Sequence, residues 1–198
     1  DPLRLPQPGR AQVQEDLQLM VPYEYVMLLL WMTFAVVGIT RHFPRELGAT
    51  IGFVGMMFFF QLLGSKVDGM VFKVASGLGA GSESESLVSW CFYSGTLLAV
   101  VVIMYAGETL TFGGEWPPTR IGGIVIDATM GLVNGWIVIG TWWYYTHKLG
   151  YPQQALGVYQ PPLSDQAQVL VALTPLELIP SGQATLVLGG ALLGLLFL

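Results

Sequence analysis

Residues 22–40, 47–64, 87–106 and 121–146 form four long runs in which the only charged side chains are Glu24 and Asp127. A run of roughly 18 apolar residues is long enough to cross a bilayer. Backbone amides in hydrocarbon have no water to bond, so each run must satisfy them within itself, as a helix. The predicted fold is therefore all-α, a polytopic transmembrane helix bundle of four spans. A further apolar segment at 181–198, with Gly190 and Gly194 four residues apart, reads as a fifth span or a membrane-dipping tail. Composition agrees: 53% of residues are hydrophobic and 11% charged, against about 25% charged in an ordinary soluble domain.

The runs divide the chain. Residues 1–21 are polar and proline-bearing, an N-terminal arm without the apolar stretch of a secretory signal. Residues 22–146 are the four-helix membrane domain. The second span is expected to close at Gly64-Ser65-Lys66, followed over 65–75 by an amphipathic extension or an interfacial helix and over 76–86 by a flexible acidic loop. Residues 147–180, with Pro152, Pro161, Pro162, Pro175 and Pro180, read as an extramembrane linker. The fourth span ends in Trp142, Trp143, Tyr144, Tyr145, His147 and Lys148, an aromatic and basic anchor of the kind found at membrane interfaces. The short turn holding Arg41 and Arg45 points to the cytoplasm by the positive-inside rule, which would put the N-terminus outside, while Arg4, Arg10, Lys66, Lys73 and Lys148 argue for the opposite orientation.

Several function classes fall away. The net charge is −5 with no basic block, whereas nucleic-acid binding needs clustered Lys and Arg. Cys91 is the single cysteine, so no disulfide forms within the chain; it reads as a small core residue. His42 and His147 are the only histidines and lie far apart, which argues against a zinc site. No Ser/His/Asp set, HExxH or phosphate-binding loop occurs, so the expectation is a protein that is not an enzyme.

What remains is glycine faces and a few polar residues. Gly48, Gly52 and Gly55 recur at helical spacing, as do Gly123, Gly131 and Gly135; small residues let helices approach closely where no hydrophobic effect drives them together. Asp127 falls on the second seam, at four-residue spacing from Gly123 and Gly131. An acid at the centre of a span costs about 2.5–3.5 kcal/mol on insertion scales and marks a functional site by default. It reads either as a proton or cation site, or as a structural acid near the headgroups, paired with Arg120 or an arginine of the first turn. Asn134 lies near the same face and reads chiefly as interhelical glue. His147 could serve as an axial ligand to a haem or pigment, but a surface histidine in an aromatic belt is the commoner reading. No cofactor is called for, though lipid contacts are expected and a bound pigment or quinone stays open.

The stretch Gly38-Ile-Thr-Arg41-His42-Phe43-Pro44-Arg45-Glu46, after one apolar span and before a glycine-bearing one, resembles the colicin V production protein (CvpA) family. That family shows Arg-Gly-Phe-x-Arg-Glu here. Arg41, Phe43, Arg45 and Glu46 match, and His42 stands where Gly is usual. Arg120 to Gly123 and Gly131 to Val138 look like the family's arginine and glycine-ladder helix, with Asp127 on a ladder position and Asn134 where a basic residue is frequent. The resemblance covers about residues 22–146. It implies a four-span bacterial inner-membrane protein without a known catalytic centre, linked to colicin V production and envelope functions. Residues 149–198 lie outside the pattern and suggest an accessory subunit that docks other membrane proteins.

Overall fold

A computed structural model describes residues 23–77, 82–106, 121–153, 163–180 and 182–197. Seven helices run through them: α1 (Tyr23–Arg41), α2 (Phe43–Gly77), α3 (Ser82–Ala106), α4 (Ile121–Lys148), α5 (Asp165–Ala172), α6 (Pro175–Leu178) and α7 (Ala184–Leu196). Four of them, α1 to α4, are long and apolar enough to cross a membrane, and the chain is that of a multi-pass membrane protein.

The four long helices alternate in direction. Trp90 and Ser94 of α3 meet Thr146 and Trp142 of α4 in reverse order. Likewise Trp31 and Gly38 of α1 meet the backbone of Leu132 and Asp127. Glu46 and Phe60 of α2 meet Asn134 and Tyr145 in the same order, so α2 and α4 run parallel. The α1–α2 and α3–α4 ends near residue 42 and residue 106 thus share one end of the bundle.

Close backbone approach fixes α1 on α4. A Cβ on Gly131 would run into the Phe34 carbonyl oxygen, and one on Gly38 would lie 2.8 Å from Gly131 Cα. One on Gly135 would lie 2.7 Å from both Phe34 Cβ and Trp31 Cδ1. Gly131 and Gly135 therefore form the α1 contact, with Gly38 as its counterpart on α1. Of the other seam, Gly52 faces the Met104 side chain of α3, and a Cβ on Gly55 would lie 3.8 Å from Leu192 Cδ1 of α7. Gly48 is buried and Gly123 partly buried.

Aromatic rings fill the opposite half of the core. Tyr93 and Tyr145 stack with centroids 4.0 Å apart and planes 11° apart. Phe60 stands edge-on to both, at 5.1 and 5.5 Å. Edge-to-face and offset contacts of this kind add about 0.5–1.5 kcal/mol each beyond area burial.

Three expectations change. First, the span does not close at Gly64: of the two readings of 65–75 the extension holds, and α2 runs for 35 residues, roughly 52 Å, because Val67 packs on the core and Val71 is buried. The Tyr93 hydroxyl donates to Asp68 Oδ1 at 2.7 Å, anchoring α3 to this extension. Second, the acidic Ser82–Ser86 stretch is the first turn and more of α3 rather than loop. Third, residues 163–180 are not bare linker. Ser164 caps α5 by accepting from Ala167 N at 3.0 Å, and its hydroxyl donates to buried Glu24 at 2.6 Å. Ala167 and Val171 then pack with Met27, Trp143 and Tyr151.

The C-terminal apolar segment forms α7, 13 residues long, or roughly 20 Å, short of the ~30 Å hydrocarbon core. It lies antiparallel on α2, with Gly189 beside Phe58 and Leu192 beside Gly55. Gly190 and Gly194 are exposed.

Candidate functional site

The polar residues singled out in the sequence converge at the shared end of the bundle. Their centre is the junction of α1 and α2, which is one residue wide. His42 has φ +66, a left-handed conformation that costs an L-residue roughly 1–2 kcal/mol. Its N–H closes α1 on Gly38 O at 2.9 Å, and its carbonyl accepts from Arg45 N and Glu46 N, both at 3.2 Å, opening α2. Pro44 has no N–H to satisfy. That leaves the Phe43 N–H, which donates to Asp127 Oδ1 at 2.7 Å. Asp127 Oδ2 meets His42 Nδ1 at 2.9 Å.

Asp127 thus caps the N-terminus of α2 from another helix, where a carboxylate also complements the helix dipole. It is 3% exposed. Because it lies level with the start of α2, it sits at the end of the bundle rather than halfway along a span. Among the described residues its partners are His42 and the Phe43 amide rather than Arg41 or Arg45; Arg120 lies outside the described residues.

Arg41 does the reciprocal work. Its Nη1 and Nη2 donate to Tyr105 O at 2.7 Å and Met104 O at 3.0 Å, the last carbonyls of α3, where a cation is favoured. Its guanidinium lies over the Tyr105 ring, 4.5 Å from the centroid, and its Nε pairs with Glu46 Oε1 at 3.1 Å. Glu46 is fully buried. Its Oε2 accepts from Tyr105 Oη at 3.0 Å and from Asn134 Nδ2 at 2.7 Å. Asn134 Nδ2 also donates to Glu46 O at 2.9 Å. Thr50 Oγ1 stands 2.7 Å from Asn134 Oδ1 and 2.9 Å from Glu46 O, able to donate to either. Buried charge is tolerated only when paired and hydrogen-bonded; Glu46 is paired through Oε1, in an ion contact that lacks hydrogen-bond alignment, and hydrogen-bonded through Oε2.

The residues read from the sequence are therefore brought together in two linked groups: Arg41, Glu46 and Asn134, and Asp127 with the junction. Arg45 is the exception and is exposed. Sequence reading missed Tyr105, Thr50 and the left-handed His42. Thr50 stands one turn after Glu46, a spacing that could have flagged it; nothing local marks Tyr105. His147 is exposed at the other end of α4 and meets Tyr151 Oη at 3.2 Å. Burial raises the Tyr151 phenol above its ordinary pKa. Cys91 is exposed on α3 rather than a core residue: in a span, apolar surroundings include lipid, so an apolar run does not imply a buried face.

Chemically, the cluster holds helix ends. Each Asp127 oxygen and each Glu46 oxygen already faces a donor or cation. No protein-family model, no curated protein and no solved structure is significantly similar to this chain.

Proposed function

We propose that this chain is a non-catalytic scaffold or accessory subunit of a larger bacterial inner-membrane assembly, CvpA-like in its first turn and fourth span. The observation that carries this reading is the use to which the charges are put. Arg41 caps α3, Asp127 caps α2, and Glu46 joins Arg41, Tyr105 and Asn134. Intramembrane charge usually signals transport or catalysis; here it is spent on joining helices. The resemblance of Arg41, Phe43, Arg45 and Glu46 to the CvpA turn supports the same reading, since Arg41 and Glu46 are the ion pair of that turn. The exposed Gly190 and Gly194 leave α7 a smooth strip on which a neighbouring subunit's helix can pack.

Purification of the tagged chain from native membranes in mild detergent tests this. The expected result is co-elution with other membrane proteins at fixed stoichiometry, preserved after cross-linking in intact cells. A chain that elutes alone in both experiments would overturn it.

One observation favours a second reading, a proton or cation pathway. The His42 side chain is 53% exposed yet bonds to Asp127, whose side chain is 5% exposed, so an exposed imidazole is linked to a buried carboxylate at the bundle end. Flux into proteoliposomes that is abolished by Asp127→Asn would establish it. Equal flux in the variant, or none in either protein, would remove it.

A further inference from the structure

A cleft of about 310 Å³ lies between α1, α4 and the α5–α6 segment, at the lower end of the ~300–1,000 Å³ typical of small-molecule sites. Its wall includes Leu28, Trp31, Trp136, Trp143, Leu173 and Leu178. It runs from Trp136 to Trp143 along α4, roughly 10 Å.

The side-chain donors of the wall are already in use. Trp31 Nε1 donates to Leu132 O at 2.7 Å, Trp136 Nε1 to Leu173 O at 2.9 Å, and Trp143 Nε1 to Tyr151 Oη at 3.2 Å. Thr174, also in the wall, donates to Val171 O at 2.8 Å. A polar ligand would lose its own hydration here and gain nothing. A hydrocarbon chain loses nothing and fills the space.

The cleft is also propped open. The Trp136–Leu173 and Ser164–Glu24 bonds tie the α5–α6 segment to α4 and α1. Pro175 already sits where a Cβ on Gly140 would be, with Cδ at 2.5 Å, so this segment has reached its limit of approach. Unfilled apolar space in a packed structure is unfavourable. Two of the four wall-forming elements are spans, so lipid tails are the hydrocarbon at hand. The Trp143 end of the cleft adjoins the aromatic and basic end of α4, with Tyr144, His147 and Lys148, the level at which headgroups lie.

We infer that this cleft holds one acyl chain of a membrane phospholipid, with the headgroup at the Lys148 end of α4. The site is independent of the polar turn and of the scaffold reading.

The test uses the full chain in vesicles of phosphatidylethanolamine and phosphatidylglycerol, with a trace of phospholipid carrying a diazirine in its acyl chain. After photolysis, adducts are mapped by mass spectrometry. They are expected to be enriched on the peptides bearing Leu28, Trp136, Leu173 and Leu178 over those bearing Leu98, Val102 and Ile103, the exposed apolar residues of α3. Filling the cleft with Leu28→Phe and Leu178→Phe should bring the first group down to the level of the second, with the second unchanged. Equal labelling of both groups in the wild type would overturn the proposal, as would enrichment that survives filling. If the double variant fails to fold, native mass spectrometry of the wild type decides: a phospholipid retained through a delipidating wash supports the site. A bare chain, or a retained quinone in place of phospholipid, overturns it.

Discussion

Replacing His42 separates a backbone effect from a side-chain effect at the α1–α2 junction. At φ +66, any residue with a Cβ carries a penalty of roughly 1–2 kcal/mol that Gly does not. The His42 side chain returns part of it through the 2.9 Å contact with Asp127. Since that side chain is half exposed, its bond belongs at the low end of the scale, about 1 kcal/mol. His42→Gly loses the bond but sheds the penalty, so its stability should be near that of the wild type. His42→Ala loses the bond and keeps the penalty, so it should be less stable by about 1 kcal/mol, or a fall in Tm of about 2–4 °C for a chain of this size. The Ala–Gly gap should persist in an Asp127→Asn background, because it does not depend on the bond. Tryptophan fluorescence during unfolding in mixed micelles reads all five proteins. An alanine variant as stable as the glycine variant would refute the reasoning. The outcome also bears on the CvpA resemblance, in which Gly is usual at this place: a left-handed junction between two spans is a physical reason for it.

Three more predictions follow from single contacts. Gly131→Ala forces a Cβ against the Phe34 carbonyl, a backbone group that cannot yield as a side chain can; the expected loss is about 1–3 kcal/mol, measured by the same unfolding assay, and Gly122→Ala, with nothing within 4 Å, should be silent. Trp136→Phe removes the bond to Leu173 O at a cost of about 1 kcal/mol, so hydrogen exchange should quicken over 163–178 while α2 and α3 stay protected. The raised Tyr151 phenol favours the neutral form in the folded state. Its contribution is full below the unfolded-state value near 10 and is lost as pH rises through the higher folded-state value, so Tyr151→Phe should flatten the stability curve at alkaline pH, on top of a pH-independent loss of about 1–3 kcal/mol from the orphaned Trp143 Nε1–H.

The spans were legible because their causes are local. An uncharged run of sufficient length has one outcome in lipid, and Pro44 fixes the α1–α2 break. The end of α2 was half legible: the amphipathic pattern of 65–75 allowed an extension, but Gly64, Ser65 and Lys66 look like a stop; one Gly costs only about 1 kcal/mol, and the packing of Val67 and Val71 outweighs it. The proline spacing of 163–180 hid α5, whose eight residues are folded by contacts with Met27 and Trp143 on distant helices. At the polar turn, the residues were visible but their pairing was not. By charge Asp127 could have met Arg120 or an arginine of the first turn. It meets His42 and an amide of that turn, and not Arg41 or Arg45, because α1 and α4 close on Gly38 and Gly131, which sets their relative height.

Arg41 and Asn134 test whether the turn acts as a unit. The two residues share Glu46: Arg41 holds Oε1 and Asn134 holds Oε2. If the contacts were independent, the losses from Arg41→Ala and Asn134→Ala would add. Glu46, however, is fully buried, and its charge is tolerated only while enough donors face it. Removing Arg41 alone leaves an uncompensated buried carboxylate and frees the α3 carbonyls, a loss of about 3–5 kcal/mol. Once water enters to solvate that carboxylate, the Asn134 bond competes with water, and its removal costs less than it did. A double-mutant cycle should therefore show a coupling of about 0.5–3 kcal/mol, with the double variant less damaged than the sum. Glu46→Gln should abolish most of it, since a neutral amide needs no cation. Additive losses in the Glu46 background would mean that α1–α3 and α2–α4 are joined by two separate contacts rather than through one carboxylate.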